Sequence, residues 1–403
     1  MVMRISEGMK FNTLIGNLFK VQDEYNDLMN KMASQKNINK PSDDPLGMSR
    51  VMRYKESQAT VGNYTSNIES ATAWINITES KLNGVNDLLV KAREIAVAQS
   101  TGTATAQTRQ YAAVSVEQIM EEMQTLANSR YGDRYLFGGT IMDGAPFSGT
   151  ASAATIDTAV AADNNGGFDG TVVSGGAYTG TENTTYVIKI VSDDEVLADT
   201  QYQFSADGGK TWGAVRDDLA DGIPVTLGDR VEFTFTEGTA ANLAEDDVFY
   251  VQATAPGYYN GNGEELAVEI GKDITFNYSI PGESIFTDMG DGEVDIFETL
   301  ADLKTALEAN DADGIAAQLD NLEAASEQVN KNIAKCGTRI NRLEIAESNL
   351  TDLDLKLTEL ISTTEDVDVA ELVTKFSMQE TVLQATYSMA SSISNITILD
   401  FLR

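Results

Sequence analysis

The chain has no histidine and a single cysteine, Cys336, in 403 residues. The first absence removes the commonest general base and the commonest metal ligand together. The second excludes an intramolecular disulfide and a cysteine-rich metal site. Cys336 stands at an apolar position of a helical repeat and reads as a packing residue. Positive charge is scarce as well: 28 Lys and Arg against 62 Asp and Glu, a formal charge of −34. That balance disfavours nucleic acid and anionic membranes as partners and favours solubility. No stretch approaches the ~20 apolar residues of a membrane-spanning helix. Met1–Lys10 lacks the apolar core of a cleavable secretory signal, which fits a cytoplasmic protein or export by a route that leaves the N-terminus uncleaved. Without a base, a pocket-forming motif or a ligand cluster, no catalytic, cofactor-binding or metal-binding residue is expected, and an enzyme is not.

What is present is heptad spacing. Phe11, Leu14, Leu18, Val21, Tyr25, Leu28 and Met32 recur at alternating steps of 3 and 4, the pattern of a helix that packs along another helix. The seam runs into Asn39-Lys40-Pro41-Ser42-Asp43-Asp44-Pro45-Leu46-Gly47. Two prolines and two adjacent aspartates stop that helix, and Ser42, Asp43 and Asp44 are good N-caps for a second. In that second helix Val61, Tyr64, Ile68, Ala71, Ile75, Thr78, Leu82, Val85, Leu89, Ala92 and Ala96 keep the 3/4 alternation; an ordinary amphipathic helix drifts to a period of 3.6 over such a length. A third helix carries Ala112, Val116, Ile119, Met123 and Leu126. The aromatics and paired glycines of Tyr131–Thr140 predict a hairpin and its turn.

Composition changes near Ile141. From there to about Asp295 the only basic residues are Lys189, Lys210, Arg216, Arg230 and Lys272, and the chain is rich in Gly, Thr, Asp and Val. Short β-branched runs at Tyr186–Val191, Tyr202–Phe204, Val231–Thr236, Val248–Ala253, Leu266–Ile270 and Ile274–Tyr278 alternate with glycine-rich turns. This predicts an inserted all-β module, with Gly149–Gly180 mostly loop. Helices return at Ile296: a short one through Phe297, Leu300, Leu303 and Leu307, then a long seam from Ile315 through Leu319, Leu322, Ser326, Val329, Ile333, Cys336, Ile340 and Leu343. After a one-residue slip that seam resumes as Ala346, Leu350, Leu353, Leu357 and Leu360. Ser362–Asp366 is expected to interrupt it. A last, weaker seam is formed by Leu372, Phe376, Gln379, Leu383, Thr386, Ala390 and Ile393, closing on Leu399 and Leu402.

The fold class expected is α+β: a long antiparallel helical bundle or coiled coil built from both chain ends, with an inserted all-β domain. Three layers follow: residues 1–45 with 365–403 as a terminal coiled-coil assembly layer, 46–140 with 295–364 as a helical rod, and 141–294 as an outer β-rich domain. The assembly seam is placed on Phe11, Leu14, Leu18, Val21, Tyr25, Leu28, Leu372, Phe376, Leu383, Leu399 and Leu402. The inter-domain corner is placed on Asn39, Pro41, Ser42, Asp43, Asp44, Pro45 and Gly47. Helical ends with no globular body to bury them gain stability only against neighbouring copies, so they are expected to be disordered in the monomer and to fold on assembly.

Ser205, Asp207, Gly209, Thr211 and Trp212 fit the S-x-D-x-G-x-T-W Asp-box of sialidase propellers. One box, and only Arg216 and Arg230 as β-module arginines, do not make a sialidase. The box reads as a hairpin turn in which Asp207 and Thr211 bond turn backbone and Trp212 packs beneath. Asp288–Asp295 reads as a solvated acidic turn lacking the terminal glutamate of a calcium loop. Asp193-Asp194-Glu195 and Glu245-Asp246-Asp247 read as charged loop tips.

The nesting and several motifs together resemble the flagellin superfamily, in its hook–filament junction branch. The motifs are Lys36–Gly47, Lys91–Ser100, Tyr135–Thr140 with Pro146-Phe147, Gly257–Gly261, Val294–Leu300 and the tail Ser394–Arg403. The resemblance implies a structural protein that forms a homo-oligomeric ring in the bacterial flagellum. Hook-associated protein 1 is its implied partner on the hook side and flagellin on the filament side. It also implies unfolded export through the flagellar type III apparatus, with a chaperone on the C-terminal helix, and an extracellular location. A flagellin-type filament subunit is the alternative.

Overall fold

The structure, a computed structural model, describes residues 2–141, 144–163, 167–180, 182–192, 197–238, 243–288 and 293–401, without the side chains of 2–8, 10, 11, 163 and 393–401. Three helices open the chain: α1 (Val2–Ser34), α2 (Pro45–Gln99) and α3 (Ala106–Ala127). A small hairpin follows, β1 (Arg130–Tyr131) and β2 (Arg134–Tyr135). Next come β3 (Phe147–Ser152), β4 (Thr155–Ile156), β5 (Val160–Asp163), β6 (Thr171–Gly176), β7 (Thr184–Ile190) and β8 (Tyr202–Ser205). The β region is completed by β9 (Pro224–Thr226), β10 (Val231–Thr236), β11 (Val248–Thr254), β12 (Gly257–Tyr259), β13 (Ala267–Gly271) and β14 (Ile274–Asn277). The chain returns to helix in α4 (Glu283–Phe286), α5 (Ile296–Glu308), α6 (Ala312–Glu365) and α7 (Val369–Phe401). This is the α+β architecture of terminal helices around an all-antiparallel β insertion.

The chain divides into two compact units, Met1–Ser66 with Glu347–Arg403 and Asn67–Ala346. In the second unit, every seam residue of α2 from Ile68 to Ala96 is buried, as are Leu322, Val329, Cys336 and Leu343 of α6. The two helices run antiparallel there, with Arg93 Nη2 2.8 Å from Glu323 Oε2. Cys336 has no exposed surface, and burial pushes its thiol up to about 11, so it packs as a protonated side chain. α3 packs on α5, whose Leu300, Leu303 and Leu307 are buried, and Lys304 Nζ lies 2.7 Å from Glu117 Oε1. Asp295 starts α5 by accepting the Glu298 N–H, and Asp311 starts α6 by accepting the Gly314 N–H.

The β insertion is a sandwich. One sheet has the order β6-β10-β9; the other has the order β4-β11-β7-β8, with β5 also on β11. Alternate residues of three central strands fill the space between: Tyr186, Ile188 and Ile190 on β7, Phe233 and Phe235 on β10, Phe249 and Val251 on β11. The stretch Gly149–Gly180 departs from its expected loop. Most of β3, together with β4, β5 and β6, lies in it, and β6 pairs in register with the whole of β10 from Gly176–Val231 to Thr171–Thr236. Its small and polar residues carry little side-chain pattern; partner backbone makes it strand. In the hairpin β1–β2 the turn is Gly132-Asp133, with Gly132 at φ +60°. The paired glycines serve otherwise: a Cβ on Gly139 falls 2.1 Å from Asn262 Oδ1.

One buried cation holds the turn between α2 and α3. The Arg109 guanidinium, 5% exposed, donates to the carbonyls of Gln99 (3.0 Å) and Thr101 (3.2 Å) and to both the carbonyl and Oδ1 of Asn310. These are orphan acceptors at a helix end, where a cation is favoured. Arg109→Ala is expected to destabilise the protein by about 2–4 kcal/mol, and Arg109→Lys to recover less than half, since an ammonium cannot span three carbonyls; thermal unfolding of both variants measures this.

Candidate assembly interface

In the first unit, α1 and α7 lie side by side and antiparallel. The Tyr25 and Phe376 rings are 5.0 Å apart between centroids, and Gln379 Nε2 donates to the Val21 carbonyl (3.3 Å) and to Glu24 Oε2 (2.8 Å). Between Leu372 and Ala390 the residues of α7 that are not fully exposed are Leu372, Phe376, Gln379, Leu383, Thr386 and Ala390. Opposite them, Leu14, Leu18, Val21, Tyr25, Leu28 and Met32 are half-buried, with Ile15 and Lys31 at the margin. The side chains of Phe11 and Leu399, and Leu402 entirely, lie outside the described residues. Only Leu372 of this set is fully buried. Two helices cover one stripe each and leave their other faces open. Phe19 (61% exposed), Met378 (63%) and Met389 (59%) stand on those open faces, with Met29, Val373, Val382 and Tyr387.

The corner is built from residues 35–47. Gln35 ends α1 at φ +56°. Asp43 Oδ2 then accepts the N–H groups of Asn39 (3.0 Å) and Lys40 (2.9 Å), and the Lys40 bond, then the Asn39 bond, holds its carboxyl below the ordinary range. Asn39 Nδ2 donates to the Lys36 carbonyl. Asp44 is the cap of α2, with Oδ1 accepting from Leu46 and Gly47 N–H at 3.1 and 3.0 Å. Pro45 takes the first helical position, where no N–H is needed. Ser42 is exposed, beside Pro41; the capping expected of it falls to Asp44. Gly47 is a packing requirement: a Cβ there meets Asp44 Oδ2 at 2.4 Å and the buried Ile38 Cδ1 at 2.6 Å.

Sequence reasoning missed the clamp that closes the corner. α6 does not break at Ser362 but runs to Glu365. A single antiparallel bridge, Lys36–Asp366, follows, with Asn37 N–H donating to the Glu365 carbonyl (2.7 Å) and Val367 N–H to the Gln35 carbonyl (3.2 Å). The Glu365 carboxylate, 8% exposed, lies 2.8 Å from both Lys36 Nζ and Lys55 Nζ. Burial pulls its pKa up, but the bonds from Lys36 and Lys55 outweigh burial and hold it below the ordinary value. The Glu365 bond in turn raises Lys36. The seam of α6 also departs from expectation near here: Leu353 is 47% exposed and Asp354 takes the inner position. A four-residue step from Leu350 resets the buried line to Leu357, Ile361 and Glu365. Following that step is the one sequence signal for Glu365; its lysines, 329 and 310 residues away, give none.

In the sandwich, Asp207 of the Asp-box accepts from Ser205 Oγ and from Thr211 N–H and Oγ1. Ser205 Oγ accepts the Gly209 N–H at 2.8 Å. The Ser205 bond, then the Thr211 bonds, hold the Asp207 carboxyl far below the usual range. Trp212 is not buried beneath the turn: it is 39% exposed, with its Cζ2 3.7 Å from where a Cβ on Gly209 would stand. Of the acidic clusters, 193–195 and 289–292 lie outside the described residues. Asp247 is no loop tip; it is buried and accepts the Ala244 N–H.

Paired helical ends around an inserted β domain define a flagellin-type protein. The model of the bacterial flagellin N-terminal helical region matches residues 5–141, and that of the C-terminal helical region matches 319–402. Together they take in more than half of the chain, which belongs to the bacterial flagellin family. Over 146 residues it is 31% identical to flagellar hook-associated protein 3 of Salmonella typhimurium, an alignment covering 36% of this chain and 46% of that protein. The chain thus spans about half the length of the curated relatives it matches first. It is 22% identical over 370 residues to flagellin C of Vibrio cholerae, covering 90% and 88% of the two chains. The structure of a flagellar hook-associated protein described as putative from Vibrio parahaemolyticus shares the fold. It has a TM-score of 0.50 at 14% identity, covering 80% of this chain and 100% of that one.

Glu365→Gln removes the anion between two lysines. It is expected to cost about 1 kcal/mol or slightly more, the lysines being half-exposed and screened. Hydrogen exchange at the Asn37 and Val367 amides should quicken roughly five- to ten-fold, with amides of Asn67–Ala346 unchanged. Because the Glu365 pKa is depressed, this contribution is full above the ordinary carboxylate range and is lost as pH falls through the folded value.

Proposed function

We propose that the protein is a non-enzymatic structural subunit of the bacterial flagellum, a hook–filament junction protein of the hook-associated protein 3 type. The observation that carries this reading is the α1–α7 pair, whose seam stays half-exposed while Phe19, Met378, Tyr387 and Met389 face solvent. Each such side chain gains about 1.5–3 kcal/mol when a neighbour covers it. Copies in a ring supply that cover with their own terminal helices. In this reading residues 1–45 and 365–403 form the assembly layer, 46–140 and 295–364 the rod and 141–294 the outer domain. The Asn39–Gly47 corner sets the angle between the first two layers. Hook-associated protein 1 lies on the hook side and flagellin on the filament side. The chain reaches the cell exterior unfolded through the type III apparatus, its C-terminal helix guarded by a chaperone. The names of the relatives matched at 30% and 31% identity support the junction role. The 370-residue alignment with a flagellin favours the second reading, a filament subunit.

Deletion and complementation separate the two. A strain lacking the junction protein is expected to keep hooks and shed filament monomers into the medium; loss of a filament subunit leaves an intact junction. Complementation with the Phe19→Asp, Met378→Glu double variant is expected to fail, while thermal unfolding of Asn67–Ala346 in the full chain is unchanged.

A further inference from the structure

At the root of the sandwich four polar side chains are buried together: Asn183, Tyr259, Asn262 and Glu283. They join segments distant in the chain. Asn183 Oδ1 accepts the Ala255 N–H (2.6 Å), and its Nδ2 donates to the carbonyls of Tyr259 (2.9 Å) and Gly261 (2.7 Å). The Tyr259 hydroxyl donates toward the carbonyls of Phe137 and Asn262. Asn262 Oδ1 accepts the Thr140 N–H at 2.9 Å. Glu283, on α4, is the one acid of the set, and its Oε1 accepts the Asn183 N–H at 3.0 Å.

Glu283 is 4% exposed, and among the described residues no lysine or arginine pairs with it. The titratable groups facing it are Glu182 at the entry to β7, Tyr178 in the loop after β6 and Tyr259 on β12. None carries positive charge. Backbone crowds the carboxyl as well: a Cβ on Gly263 falls 2.3 Å from Oε2. An ionised carboxylate here has lost water and gained one N–H, beside a second carboxylate, whereas the neutral acid meets neither cost.

We propose that Glu283 is a proton-operated latch: protonated, it seats the sandwich on the segments 137–140 and 257–263 and on α4; ionised, it loosens that root. Burial first, and then the charge of Glu182, push its carboxyl up to about 7. The sign follows from linkage. A carboxyl whose folded value is raised binds more protons in the closed root than in the open one, so closure weakens as pH climbs from the ordinary value toward the raised one.

Hydrogen exchange of the Asn183 and Ala255 amides in the full chain, corrected for intrinsic rates, reads the latch directly. Opening is expected to rise roughly twenty-fold between about pH 5.5 and 7.5 and to level off above about pH 8. Glu283→Gln should flatten this profile. Glu182→Gln, an exposed substitution, should start the plateau at lower pH, because it removes the like charge. A wild-type profile without the rise, a Glu283→Gln profile that keeps it, or a Glu182→Gln plateau that stays in place would overturn the proposal.

Discussion

One constraint governs this molecule: a helix cannot bury more than one stripe against a single partner. Within Met1–Ser66 and Glu347–Arg403 the chain has only helices to offer one another. α1 and α7 therefore meet along one 3/4 seam and stop half-buried. The Lys36–Asp366 bridge and the Glu365 carboxylate between Lys36 and Lys55 fix where that pair begins. Asp43 and Asp44 close the loop leading out of it. What remains apolar and exposed on the pair is the part other copies are proposed to cover.

The second unit answers the same constraint with more partners. There α2 and α6 are joined by α3, α5 and the β insertion, and the seam from Ile68 to Ala96 is fully buried. Side chains at the interior meet backbone where packing alone leaves polar groups orphaned. Arg109 does this at the α2–α3 turn, and Asn128 does it by exchanging two hydrogen bonds with Phe147. Gln328 does it by donating to the carbonyls of Ile285 and Thr287. Glu283 also meets backbone, at the Asn183 N–H, but as an acid in a place that favours it uncharged.

The long helices were legible in the sequence nearly residue by residue, because a heptad repeat is a local signal sustained over many turns. Six of the β strands were legible from short β-branched runs set between glycine-rich turns. Legibility ended where structure depends on distant partners. The strands in Gly149–Gly180 exist because β10, β11 and β12 pair with them, and their small residues carry no pattern of their own. The seam slipped at Leu353 because a four-residue step from Leu350 hands the inner position to Asp354; Leu357 stays buried, and the line then runs on to Glu365. Glu365 and Glu283 look like ordinary surface acids until residues a hundred or more positions away close over them. Arg109 left a trace, standing three residues before Ala112 in phase with the seam of α3, as Glu365 did by ending the stepped line of α6.

Limited proteolysis of the full-length monomer, read by mass spectrometry, bears most directly on the idea that the chain ends are completed by neighbours. The expected result is early cleavage within residues 1–36 and 367–403, persistence of a fragment containing Asn67–Ala346, and protection of both ends once copies assemble. Terminal helices as resistant in the monomer as Asn67–Ala346 would contradict it.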